Sequence, residues 1–373
     1  MALIKATFAP KSKPAQMSKV HNFSAGPAIL PQEALNAAVE ALQNFAGTNL
    51  SLVTVSHRSK EFVAVMEEAV SLAKELLGVP EGYSVLYLQG GASTQFYMVP
   101  LNLLGDGQTA AYLNTGAWSK KAIKEAQLVG DVNVVGSSED KNFNYIPSGF
   151  DVPTDAAYMH ITTNNTIYGT EIHEDPSYGV PLVADMSSDI YSRPVDVSKY
   201  DLIYAGAQKN IGPAGATLVI VKDEILGKID RQLPTMLNYQ THVKKESMFN
   251  TPPVFPVFVI NETFKWLKSI GGVAEIQKRN QAKANLLYNE IDSNPMFVGT
   301  AEKKDRSLMN VTFVLKDNSL DNEFMEYCKN ANISGIKGHR SVGGFRASMY
   351  NAMEIDSVQA LVNVMQEFSK KYA

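Results

Sequence analysis

Between about residues 60 and 260 the chain alternates two textures. In FVAVMEEAVSLAKELLG the apolar residues Phe62, Met66, Ala69, Ala73, Leu76 and Leu77 recur at helical spacing, and Gly78 is placed as a glycine that ends a helix. Between such stretches lie short apolar runs, each closed by small or polar residues: SVLYLQGG, GQTAAYLNTGAW, AAYMHITTNN, VPLVADMSS, DLIYAGAQ and GATLVIVKD. Runs that are apolar throughout, separated by helices, belong to strands buried on both faces. They predict an α/β fold with a mostly parallel sheet. Ligands of such sheets sit beyond the carboxyl ends of the strands, so the polar residues that close each run are the candidate site.

From about residue 258 the pattern changes. FVINETFKWLKSIGGVAEIQKRNQAKANLLYNEI predicts long helix broken near Gly271 and Gly272; SLMNVTFVL predicts a strand with one wet face; SVQALVNVMQEFSKKY predicts a closing amphipathic helix. These elements make a smaller α+β unit. The expected division is an extension over residues 1–20, a large domain over 21–257 and a small C-terminal domain over 258–373, with the N-terminal segment of the large domain packing on the small one. Residues 1–20 are basic and lack acids, as transit peptides do, but they contain no arginine and little amphipathic pattern. They are expected to be a disordered extension of a cytoplasmic protein.

With 45% apolar residues the chain can bury a sizeable interior, and its net charge of −4, without a basic block, gives no reason to expect a nucleic-acid partner. No apolar run is long enough to span a bilayer. Cys328 is the only cysteine, which leaves no intrachain disulfide and no Cys-x-x-Cys metal site. No metal is expected.

The chemistry-bearing residues collect at strand ends. VADMSS ends a strand on Asp185, and the following run, YAGAQKNIGPAG, delivers Lys209 among glycines, alanines and a proline. A carboxylate and an amine buried at neighbouring strand ends are costly unless a ligand needs them. Pyridoxal phosphate needs both, since its aldehyde condenses with a lysine and its ring nitrogen stays protonated opposite a carboxylate. QGGASTQF would offer its phosphate a helix N-terminus at Ala92, Ser93 and Thr94. Trp118 offers a ring face, and Thr166 offers a hydroxyl. Each has a plainer reading alone: a solvent-reaching lysine, a helix-capping aspartate, a core tryptophan, a glycine turn. His57 and Arg58 in SHRSKEF, with Lys337, His339, Arg340 and Arg346 in GIKGHRSVGGFRASMYN, suit a substrate with an anion at each end.

From HNFSAGPAILP to the C-terminus the sequence resembles the phosphoserine aminotransferases, fold-type-I pyridoxal phosphate enzymes of serine biosynthesis in the class-V aminotransferase family. The stretches that carry the resemblance are SHRSKEF, QGGAS, VADMSS, YAGAQKNIGPAG, MFNTPP and GHRSVGGFRASMYNAM. It implies a seven-stranded-type sheet and a homodimer with shared active sites. Lys209 would hold the cofactor covalently and shuttle a proton, Asp185 would pair with the ring nitrogen, and Trp118 would stack on the ring. Ala92, Ser93, Thr166 and Gln208 would line the phosphate and ring oxygen, while Asn250 and Thr251 would reach the phosphate from the neighbouring subunit. Arg346 would grip the α-carboxylate of the substrate. His57, Arg58, His339 and Arg340 would meet its distal carboxylate or phosphate. One departure is Ser93, where some members carry an arginine, so distal recognition would lean more on Lys337, His339 and Arg340.

The implied reaction is a ping-pong transfer of an amino group from L-glutamate to 3-phosphohydroxypyruvate, with a phosphohydroxythreonine-type substrate as a second use. Four rivals stand beside it, the first an aminotransferase for small 2-oxo acids, which kinetics with pyruvate, glyoxylate and phosphohydroxypyruvate as acceptors would separate. A cysteine desulfurase would need its cysteine on a mobile loop, a nucleotide-binding dehydrogenase would need a glycine-rich phosphate loop absent from this chain, and an inactive homologue would have no reason to keep Lys209, Asp185 and Arg346.

Overall fold

The computed structural model describes residues 19–372. The expected extension therefore lies outside the described residues as far as residue 18, and Lys19 is tied by an ion pair to Glu354. The apolar runs form β1 (Tyr83–Leu88), β2 (Thr109–Asn114), β3 (Asp131–Ser137), β4 (Met159–Thr162), β5 (Leu182–Asp185), β6 (Leu202–Gly206) and β7 (Thr217–Lys222). They make one sheet in the order β1-β7-β6-β5-β4-β2-β3. Every pairing from β6 to β3 is parallel, whereas β7 runs antiparallel between β1 and β6. Six of these strands coincide with the six apolar runs. The seventh, β3, is half exposed along its length and sits at the edge, so its sequence lacks the apolar signature of its neighbours.

The helix expected before β1 runs Lys60–Leu77. Ser59 caps its start by accepting from the Phe62 amide, and Gly78 ends it with a left-handed φ of 62°. Its predicted face, with Phe62, Met66, Ala69, Ala73, Leu76 and Leu77, is buried against the helix Val254–Ser269 and the sheet.

The smaller unit is built on an antiparallel sheet of Phe297–Gly299, Asn310–Leu315 and Phe345–Ser348. The strand Asn310–Leu315 has no wet face: the expected outer side is covered, and five of its six residues are buried. Its core is aromatic, with Phe324 edge-on to Phe345 at 4.8 Å and to Phe368 at 5.2 Å. Each such pair adds roughly 0.5–1.5 kcal/mol beyond its buried area.

The expected division at 257/258 falls inside the helix Val254–Ser269. Val257, Phe258, Val259 and Ile260 all pack in the core of the large unit, so the helix belongs there as a whole. We propose that the smaller unit begins with the next helix, Gly272–Ser293, which Gly271 separates with a φ of 106°. That helix joins both cores, through Ile276 to the large and through Ala284, Leu287 and Ile291 to the small. At the other end, His21–Asn22 pairs in parallel with Ile333–Ser334, and Phe23 is buried in the small core.

No helix among the described residues is long and apolar enough to cross a membrane.

Candidate active site

Two neighbouring strands end on the acid and the amine. β5 delivers Asp185, whose Oδ1 accepts from the Ser187 amide at 2.9 Å, and the Ser187 hydroxyl accepts from the Gly206 amide at the end of β6 at 3.1 Å. The chain then turns into Gln208 and Lys209, with Ala207 donating to the Ala216 carbonyl at 3.0 Å to close the turn onto β7. Lys209 is only 9% exposed. Its Nζ donates to Thr166 Oγ1 at 2.7 Å and lies 5.4 Å from the centre of the Trp118 ring.

Burial pushes the Lys209 amine down to about 8, assisted by the Arg346 charge and opposed by Asp185. Burial lifts Asp185 above the usual carboxylate range, opposed by the Lys209 charge and by hydrogen bonds from Ser187 and Tyr204. Each group offsets the other's cost of leaving water.

Behind Asp185 lies a support that its sequence did not announce. The Tyr204 hydroxyl helps to lower Asp185 and lies 2.8 Å from His160 Nε2, and the His160 ring stacks on Tyr112 at 4.7 Å. Complete burial holds His160 down at about 3, so it is neutral and adds a hydrogen bond without a charge. Tyr204 and His160 look in the sequence like members of apolar strands; only the pairing of strands distant in the chain brings them together. Asp189, also buried and within charge range of Lys209, is raised to about 6 by burial.

Gly26 was missed for a similar reason. The N-terminal segment crosses directly over the lysine, with the Ala28 amide donating to the Gln208 carbonyl at 2.9 Å. A side-chain carbon at Gly26 would stand 3.3 Å from Lys209 Cγ, on a backbone of φ 145° that other residues rarely adopt.

QGGAS folds as expected into a turn and a helix start. Gly90 and Gly91 have φ of 93° and 69°, and the helix Gly91–Leu103 opens its free amides there, with Ala92 half-buried and Ser93 exposed. A side chain at Gly90 would collide with Thr94. Asn250 and Thr251 are exposed on the far side of this turn. The Thr251 carbonyl accepts from Gln89 at 2.9 Å, and Asn250 lines, with Gly90 and Thr94, a cavity of about 340 Å³. Neither touches Lys209 within the one chain.

Arg346 is a cation distant in the chain that the fold carries to the lysine. The pairing of strands Phe345–Ser348 and Asn310–Leu315 fixes it, and its Nη1 donates to the Thr166 carbonyl at 3.4 Å. His339 and Arg340 lie in the loop just before, with His339 Nδ1 2.7 Å from the Ser341 hydroxyl; Lys337 and Arg340 are exposed. Burial lowers His339, and the charges of Arg346, Arg340 and Lys121 lower it further. His57 and Arg58 lie just before the helix Lys60–Leu77, and burial lowers His57, with the charge of Arg58 lowering it further.

The donor set fits pyridoxal phosphate. Trp118 Nε1 and Arg346 Nε are buried without a partner among the described residues. Together with the open amides after Gly90 they offer hydrogen bonds to a ligand rich in acceptors. Cys328, by contrast, is buried in the helix Asp321–Asn330 and its thiol is pushed up to about 12, which removes the nucleophile a desulfurase requires.

Comparison with known proteins shows the family of the chain. Residues 20–361 match the family described as aminotransferase class-V. A phosphoserine aminotransferase of Porphyromonas gingivalis is 60% identical over 361 residues, covering 95% of this chain and 100% of that one. Among solved structures, a phosphoserine aminotransferase from Bacillus circulans subsp. alkalophilus is 45% identical, with a TM-score of 0.93 over 95% of this chain and 99% of its own. A phosphoserine aminotransferase from Trichomonas vaginalis, solved with pyridoxal phosphate bound, is 38% identical, with a TM-score of 0.89 over 93% of this chain and 100% of its own.

Proposed function

Because the chain belongs to the class-V aminotransferases and is a pyridoxal phosphate-dependent transaminase, we propose that it moves the amino group of L-glutamate to 3-phosphohydroxypyruvate, giving 2-oxoglutarate and O-phospho-L-serine in a ping-pong sequence. The carrying observation is the buried triad of Lys209, Thr166 and Asp185 at adjoining strand ends, with Arg346 reaching the same threonine. When bound, the cofactor supplies an aldehyde that exchanges with the substrate amine and a protonated ring that draws electrons from the substrate α-carbon.

The chain's residues divide the remaining work. Lys209 Nζ, held by burial near neutral pH, takes the proton from the α-carbon and later returns one. A positioned amine in that role is worth ~10²–10⁴ in rate. Asp185, backed by Ser187 and Tyr204, would face the ring nitrogen and keep it protonated. Trp118 covers the ring face; Ala92, Ser93, Thr166 and Gln208 hold its phosphate and ring oxygen. The Arg346 fork orients the α-carboxylate. His57, Arg58, Lys337, His339 and Arg340 receive the distal anion, and both substrates carry one, which lets a single pocket serve both halves of the reaction.

The protein acts in the cytoplasm as a homodimer whose sites are shared, with Asn250 and Thr251 completing the phosphate site of the partner. Their exposure beside the glycine turn in a single chain supports that arrangement.

The test is direct. Purified enzyme carrying cofactor should show a visible absorption band that bleaches on adding L-glutamate and returns on adding 3-phosphohydroxypyruvate. Return with pyruvate or glyoxylate but not with the phosphorylated acid would overturn the substrate assignment.

A further inference from the structure

Lys121 stands outside every role given so far. It lies on the helix Ala117–Ala126, one turn after Trp118, and its Nζ sits 4.3 Å from the centre of the Trp118 ring. The same ring is 5.4 Å from the Lys209 amine, so Lys121 borders the site. Trp118 and Val342 both pack against the small cluster of Phe143, Ile167 and Tyr168, which brings the loop of His339 and Arg340 to the same cluster as that helix.

The charge pattern is unusual. Lys120, next in the chain, is paired with Glu139, but Lys121 makes no ion pair among the described residues. Its charge falls instead on His339, together with those of Arg340 and Arg346. Three basic side chains, from the helix, from the loop itself and from the strand after it, therefore act on His339. Like charges gathered without an acid repel one another, and the arrangement is relieved when an anion enters. A dianion relieves it more than a monoanion.

We propose that Lys121 is a specificity residue that, with His339 and Arg340, binds the terminal phosphate of the substrate and supplies the positive charge that Ser93, on the neighbouring helix, does not. The proposal rests on the transamination of a phosphorylated acceptor proposed above. The alternative role, a side chain that merely covers Trp118 with its methylene stem, is separable by substitution.

Lys121→Met keeps that stem and removes the charge, while Lys121→Arg keeps both. With cofactor-loaded enzyme, Lys121→Met should raise KM for 3-phosphohydroxypyruvate about tenfold, the scale of one lost charge-assisted hydrogen bond. kcat should be unchanged, KM for L-glutamate should rise less, and Lys121→Arg should restore the wild-type value. A second readout is calorimetric binding of 3-phosphoglycerate, which has no carbonyl to react. The methionine variant should bind it more weakly by the same factor and with a shallower dependence on salt.

Unchanged KM and unchanged 3-phosphoglycerate binding would overturn the role of Lys121. So would an equal rise for both substrates, which marks a packing defect. If the wild-type enzyme fails to use the phosphorylated acceptor, the substrate assignment falls instead, and the binding measurement still decides whether Lys121 holds a phosphate.

Discussion

The two ends of the site are built on opposite principles. At the cofactor end the sheet does the assembly: Asp185 and Lys209 leave adjacent strands, are buried, and each offsets the other's charge with help from Ser187, Thr166 and Tyr204. At the distal end the charges of Lys121, Arg340 and Arg346, from a helix, a loop and a strand, act on His339, and none of the three makes an ion pair among the described residues. The first region is balanced within the chain itself; in the function proposed above, the second is completed by the anion of the substrate. Changes at the cofactor end should therefore strike turnover, and changes at the distal end should strike affinity for one substrate class.

Lys209→Ala should break the site most completely. kcat should fall by about 10³ or more, the loss of a positioned proton carrier, and the visible band of the bound cofactor should vanish; near-normal turnover would show the amine is not the proton carrier. Asp185→Asn should keep the band but lower kcat by roughly 10²-fold with both amino donors, since a preorganised charge opposite the ring is lost. Equal kcat in stopped-flow half-reactions would count against its place at the ring nitrogen.

The pH dependence of cofactor capture tests the same end without mutation. The amine must be neutral to attack an aldehyde, and burial places it at about 8. Below that value each pH unit lowers the neutral fraction about tenfold, so cofactor-free protein should take up pyridoxal phosphate faster as pH rises toward 8 and level off above it. A plateau reached only above the ordinary range of a lysine would contradict the burial described here. The smallest effect belongs to the distal end: Arg340→Ala should raise KM for the phosphorylated acceptor by about fivefold with kcat intact, because an exposed cation acts through a screened charge. Steady-state kinetics at two salt concentrations would sharpen the contrast, the distal variant losing the salt sensitivity that the Asp185 variant retains.

Legibility in the sequence follows the same division. Six of the seven large-sheet strands were visible because burial on both faces writes continuous apolar runs, and Asp185 and Lys209 stood out as charges at the ends of such runs. β3 was hidden because an edge strand need not be apolar. Tyr204 and His160 were hidden because an aromatic hydroxyl and a neutral imidazole inside a strand look like core, and their bond joins positions far apart in the chain. Lys121 reads as a helix-surface lysine until the packing of Trp118 and Val342 brings its helix and the loop of His339 and Arg340 to one cluster. The strand Asn310–Leu315 misled because alternation predicts one covered face and cannot see a second layer arriving.

The parallel pairing of His21–Asn22 with Ile333–Ser334 has a consequence for how the protein comes into being. The segment that passes over the lysine at Gly26 precedes every strand of the large sheet in the chain, and the strand it pairs with follows all of them. Until residues 333 and 334 have been made, that segment waits unpaired while the seven-stranded sheet can already form. Closure of the lysine pocket is thus a late, long-range event, slowed by the loop that must be drawn together, and a nascent chain halted before residue 333 would carry its reactive amine uncovered.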